Sequence, residues 1–241
     1  MISKTCTRVA VALTLVLAFV GTVSAQTEPS NDERWAARRL ENVRIEAQGI
    51  RQLFSRLALS YDIPIGLEIA IDENELAECS LELNEGTLSD LLTKFIAEHK
   101  EYRWEIRGGA VNIFPNDDFR DAVLEQILDT EISRLSIREN TSCGEFERKV
   151  FSTPELRQIL EATGMTSGDG NLSGPYIPQL GRHFSLDVSN MRLRTILNRV
   201  INESPVAKIW VGKRSDHRLL IRLKARHEDS PKRRTEATSR F

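Results

Sequence analysis

Apolar positions fall in two rhythms along the chain. Ile50, Leu53, Phe54, Leu57 and Ala58 recur at i, i+3, i+4, i+7 and i+8, the spacing of one helix face. Just before them Val43 and Ile45 alternate with Arg44 and Glu46, the period of a half-buried strand. Asp62-Ile63-Pro64 ends the helix, because a proline pushes the residue before it out of the helical region. Ile65, Leu67 and Ile69 alternate again, and Ser80 to Leu83 reads as a third strand. A second helix opens at Thr87, an N-cap with Asp90 three residues on, and carries Leu88, Leu91, Leu92, Phe95 and Ile96. Tyr102, Trp104 and Ile106 line one face of a strand, Gly108-Gly109 turns it, and Val111 and Ile113 return it to Pro115. Asp32 to Arg39 predicts a helical turn carrying Trp35.

The pattern then recurs. Ile45 to Leu53 aligns with Phe151 to Ile159 at an offset of 106. Leu81-x-Leu83 and its helix align with Leu186-x-Val188 and Leu193, Ile196, Leu197, Val200 and Ile201 at an offset of 105. Trp104 meets Trp210 at 106, and Val111 and Ile113 meet Leu219 and Ile221 at 108. Four segments in one order at nearly one offset predict a tandem duplication. The expected fold class is α+β, with two tandem small two-helix units packed on short strands and hairpins. The first spans residues 40–115 and the second 150–223, with a glycine-rich loop at 164–182. A polar segment at 26–39 precedes them. Residues 116–149 form a connector with a short amphipathic helix (Phe119, Val123, Ile127) and a strand at Ile132 to Arg138. Residues 224–241 read as a disordered basic tail.

The first 25 residues read as a cleaved signal peptide. Lys4 and Arg8 precede an uncharged run from Val9 to Val20, and Val23-Ser24-Ala25 supplies the small residues a peptidase needs. Twelve apolar residues rising roughly 1.5 Å each fall short of a roughly 30 Å membrane core. Cleavage changes the charge. The whole chain has 33 basic and 35 acidic residues, net −2; without Lys4 and Arg8 it has 31 and 35, net −4. The tail holds six basic and three acidic residues, which leaves −7 on residues 26–223 and argues against nucleic acid as a partner of the body. Cleavage also removes Cys6. Cys79 and Cys143 remain, a disulfide candidate in an oxidising compartment worth roughly 4 kcal/mol in the chain-entropy model. The alternative is two separate buried thiols.

Val43-Arg-Ile-Glu-Ala-Gln-Gly-Ile50-Arg-Gln-Leu53 resembles the opening of the secretin and TonB N-terminus short (STN) domain: a strand, a polar turn, an apolar helix. Leu81-Glu-Leu83-Asn-Glu-Gly-Thr87-Leu88-Ser-Asp-Leu91-Leu92 is similar to its middle, and Tyr102 to Pro115 to its closing hairpin. The resemblance covers residues 40–115 well and 150–223 more weakly. It implies a periplasmic docking module without catalytic residues. The 18 residues after Leu223 are too few for the pore or barrel that usually follows, so a free-standing module is expected.

The candidate chemistry is sparse. His99, His183, His217 and His227 show no paired metal spacing, and neither mature cysteine has a histidine partner in the sequence. No catalytic residue, cofactor or metal is expected. The acidic residues Asp72, Glu73, Glu75 and Glu78 read as a solvated loop. Asp169, Asn171 and Ser173 match the first, third and fifth positions of a calcium loop, but its twelfth position is Leu180, not a glutamate. Tyr176, Tyr102 and Trp104 are the candidate partner contacts, and core is the competing reading for the latter two. The expected function is an exported, non-enzymatic docking or adaptor module of the bacterial cell envelope. Its partner is an envelope protein, and it meets membrane only through partners or the basic tail. An extracytoplasmic binder of a small molecule or glycan, with a site between the units, and a hydrolase with a scattered site stay open.

Overall fold

The computed structural model describes residues 30–70, 77–167, 180–181 and 183–225. The signal peptide, the run Asp72 to Glu75, the calcium-loop residues Asp169, Asn171 and Ser173, Tyr176 and residues from Arg226 on lie outside them. The first half follows the apolar rhythm closely. Helix α1 (Asn31–Ala36) starts at a Ser30 capping box with Glu33. Strand β1 (Arg39–Gln48) leads through Gly49 into α2 (Ile50–Tyr61), which buries the expected face and stops at Asp62 in a left-handed conformation. Strand β2 (Ile65–Glu68) and β3 (Glu78–Thr87) follow. Thr87 caps α3 (Leu88–Glu98) reciprocally with Asp90, whose carboxyl those hydrogen bonds hold below the usual carboxylate range. Strands β4 (Tyr102–Arg107) and β5 (Ala110–Pro115) close the half around the left-handed pair Gly108-Gly109.

The second half differs from its sequence reading at its start. Phe119 sits exposed in a 3-10 turn, and the next helix, α4 (Ala122–Leu128), begins at the Asp121 N-cap. Strand β6 (Glu131–Ile137) pairs with β8 (Leu186–Arg192) and is therefore part of the second core rather than of a connector. Its burial repeats that of β1 over seven residues, with Ile132, Leu135 and Ile137 in the places of Leu40, Val43 and Ile45. The expected alignment of Ile45 with Phe151 fails, because Phe151 ends helix α5 (Cys143–Phe151). Pro154 then opens α6 (Pro154–Thr163), so two short helices stand where the first half has one. Strand β7 (Thr166–Ser167), α7 (Leu193–Glu203), β9 (Ala207–Ser215) and β10 (Arg218–Ala225) complete the fold. Lys224 and Ala225 thus belong to a strand and not to the tail.

Six strands form one sheet in the order β4-β5-β2-β9-β10-β7, and β1-β3 and β6-β8 form two separate antiparallel ribbons. The halves meet where β2 runs parallel to β9, Ile65 opposite Ile209 through Glu68 opposite Gly212. Alternation along these strands sends side chains to two cores. Val111, Ile113, Ile65, Leu67, Ile209 and Val211 face the core shared with α2 and α3. Ala110, Trp210, Leu219, Ile221 and Leu223 face the core shared with α4 to α7. Each half's helices therefore cover one face of a sheet to which both halves contribute. Gly66 allows this junction: a Cβ there would lie 2.6 Å from the Trp210 ring.

The junction is also tied by buried polar groups. Trp210 Nε1 donates to Asn198 Oδ1 at 2.8 Å, and Asn198 Nδ2 donates to Asn112 Oδ1 at 2.9 Å. Arg194 on α7 pairs with buried Glu68 on β2, with Asp129 Oδ1 3.6 Å from its Nε. Arg214 on β9 pairs with Asp121, the buried cap of α4. Trp210, Asn198, Asn112, Glu68 and Asp121 are buried, so each of these needs its partner.

Candidate functional site

Two features of this arrangement can bind something: the strand edges and a groove between the halves. Strand β4 borders the six-stranded sheet. Asn116 N–H donates to Glu101 O, which turns the amides of Arg103, Glu105 and Arg107 toward β5 by antiparallel alternation. The amides of Trp104 and Ile106 therefore point outward, and no described strand pairs with them. Other outward amides are capped by carboxylates. Asp32 accepts from Gly109 N–H at 2.7 Å, Glu155 from Ser133 N–H at 3.1 Å and Glu147 from Leu223 N–H at 2.9 Å. The outer face of the β1–β3 ribbon is charged, with Arg39 near Glu85 and Arg44 near Glu82, a common guard against edge pairing.

The groove lies on the β9–β10 face turned toward the first half, and has a volume of about 610 Å³. Its floor is Val211 and Leu220. Lys213, Arg222 and Lys224 rise from the same strand face, and Arg51 reaches in from α2. Lys224 Nζ lies 2.9 Å from Ser55 Oγ, a contact between the halves. Burial, then the neighbouring Arg51, hold the Lys224 ammonium below the usual lysine range. Cys143 and Glu147 on α5 form the far wall. Burial, then Glu147, push the Cys143 thiol up to about 12, which disfavours its thiolate. Burial also raises the Glu147 carboxyl.

The residues singled out in the sequence do not converge. Tyr102 is fully buried and its hydroxyl accepts from Ala70 N–H at 3.0 Å, so it is core and not a partner contact. Trp104 is half-buried against the first core on the edge strand. The expected Cys79–Cys143 disulfide is absent: Cys79 lies on β3 beside the first core, Cys143 is buried in the second, and no bond joins them. His99 stacks on Phe95 at 4.4 Å and pairs with Glu101, His183 is exposed, and exposed His217 sits in the β9–β10 turn. Glu78 opens β3 as an exposed residue. Among the described residues no three His, Cys, Asp or Glu side chains gather as a metal site, and no helix is long and apolar enough to cross a membrane.

The groove cations escape a sequence reading that ends the last strand at Leu223. The signal was present: Leu219, Ile221 and Leu223 alternate with Leu220, Arg222 and Lys224, a strand with one basic side. No family model, curated protein or solved structure matches the chain.

Proposed function

We propose that this chain is an exported, non-enzymatic docking module of the bacterial cell envelope, built from two STN-like units. Four features support two units. Each half begins with a strand that later pairs with its third strand, holds a parallel strand beside its last one, and closes with a helix and a hairpin. The hairpins turn at equivalent left-handed positions, Gly108 and Asp216. In residues 40–115 the observed strand, turn and helix, the capped leucine helix and the final hairpin occupy the segments that resemble the STN domain. The observation that carries docking is the open edge of β4, where the Trp104 and Ile106 amides face outward beside a half-buried tryptophan.

The test is affinity capture of the mature protein from envelope extract under gentle conditions, beside an Ile106→Pro variant. Proline removes an outward amide and leaves the β4–β5 ladder intact. An envelope protein retained by the parent and lost by the variant supports strand addition at β4. No protein partner, or equal retention by both, counts against it. The groove between the halves favours a second reading, a binder of a small extracytoplasmic molecule or glycan.

A further inference from the structure

We propose that the strand received by the β4 edge is the β4 of a second copy of this chain, so that two six-stranded sheets continue into one another across a two-fold axis. This rests on the reading of β4 as an open docking edge. The edge has defined ends. At one end Asp32 accepts from Gly109 N–H at 2.7 Å, so helix α1 occupies the turn. At the other, Tyr102 N–H donates to His99 O at 3.0 Å. The outward amides between these ends are those of Trp104 and Ile106, and no described strand pairs with them. Both side chains are half-buried against the first core.

The charges of the strand decide which neighbour fits. Alternation puts Trp104 and Ile106 on the core side and Glu101, Arg103, Glu105 and Arg107 on the other. Glu105 and Arg107 are exposed. Like charges directly opposite destabilise a strand pair, so a fitting neighbour sets acid beside Arg103 and Arg107 and base beside Glu105. An antiparallel second copy does this when the two-fold axis passes through Trp104. Arg103 then faces Glu105 of the partner subunit, Glu101 faces Arg107 of the partner subunit, and symmetry repeats each contact. The Trp104 amide and carbonyl meet those of the partner's Trp104, and the two half-buried indoles cover one another on the core side. Neighbouring registers fit worse. An axis through Glu105 sets it against the partner's Glu105, and Arg103 against the partner's Arg107. An axis through Ile106 sets Trp104 against the partner's Gly108, in the turn that α1 occupies. Arg103 already meets Asp117 at 3.3 Å, and its guanidinium has further N–H groups for a second carboxylate.

The test is sedimentation equilibrium of the mature protein over about 1–200 µM, where a reversible dimer is expected. Glu105→Arg sets like charges against Arg103 and is expected to weaken the dimer at least about tenfold. Arg103→Glu/Glu105→Arg exchanges the two charges and is expected to restore the dimer to within about threefold of the parent, which a strand merely damaged by substitution does not do. Ile106→Pro is expected to abolish the dimer, and Arg44→Gln on the β1–β3 ribbon to leave it unchanged. Melting curves report whether each variant is folded. If the double variant is not, Arg107→Glu and Glu101→Arg/Arg107→Glu repeat the cycle at the other charge pair. A monomer throughout the range overturns the proposal, as does a dimer indifferent to Ile106→Pro, or a folded double variant that stays monomeric. A monomer that still captures an envelope protein, lost in Ile106→Pro, refutes the second copy and keeps the docking edge. A monomer whose capture is equal in both refutes the edge as well.

Discussion

The two halves share a strand order and differ in how the far face of each final hairpin is covered. In the first half that face carries Arg103, Asn112 and Phe114. Asn112 bonds to Asn198 on α7, and the Arg103 and Arg120 guanidiniums lie over the Phe114 ring at 4.7 and 5.8 Å. In the second half the corresponding face carries Val211, Lys213, Arg222 and Lys224. Among the described residues the α2 side that bears Arg51 and Ser55 and the α5 residues Cys143 and Glu147 border it, and a groove remains. The cause is the parallel strand. β2 has four residues, all buried, and pairs on both sides; β7 has two and pairs only with β10. A long β2 brings the second half's helices over the first hairpin.

The hairpin register sharpens this comparison most. Tyr102 and Trp210, not Trp104 and Trp210, occupy equivalent positions when both hairpins are aligned on their turns, and both are fully buried. Trp210→Ala is expected to cost about 3–5 kcal/mol in urea unfolding, and Tyr102→Ala about as much. Trp104→Ala is expected to cost no more than about 2 kcal/mol because that ring is already half in solvent. Equal losses at Trp104 and Trp210 would break the assignment. Next comes the ion pair across the junction. Glu68→Gln leaves the half-buried Arg194 guanidinium, among the described residues, with Asp129 as its one carboxylate and is expected to cost about 3 kcal/mol. Asn198→Ala strands both Trp210 Nε1 and Asn112 Oδ1, at an expected cost of about 1–3 kcal/mol.

The smallest effect concerns Glu147. Its raised carboxyl value means the folded chain prefers the protonated form, so stability falls as pH climbs from the ordinary carboxylate range through that raised value. Glu147→Gln keeps an oxygen for the Leu223 N–H and removes the charge. It is expected to gain less than about 1 kcal/mol at pH 7 and nothing at pH 4 by thermal melting. A gain of the same size at both pH values would show that charge is not the cause.

The first half was legible because its signals were local. The Thr87–Asp90 box, the Gly108-Gly109 turn and the α2 face each declare themselves within a dozen residues, and the chain follows them. The second half was harder because its opening ribbon joins strands about fifty residues apart, and β6, with Ile132, Leu135 and Ile137, resembles a connector until β8 is placed beside it. The apolar match of Phe151 to Ile45 was one of helical residues against a strand. The groove was hidden for another reason. Its cations lie on three elements of both halves, and no local pattern announces that α2 of one half stops short over the hairpin of the other.

The proposed docking edge and the groove both depend on the two halves being one body through the β2–β9 junction. Native-state hydrogen exchange of the Leu67 and Gly212 amides, which face each other across the β2–β9 junction, tests this most directly. If the sheet is continuous, both exchange only through global unfolding, at the same free energy as the Leu53 amide in α2 and the Leu197 amide in α7. Exchange of Leu67 and Gly212 at a free energy well below that of the two helices, or different global values for the halves, would contradict it.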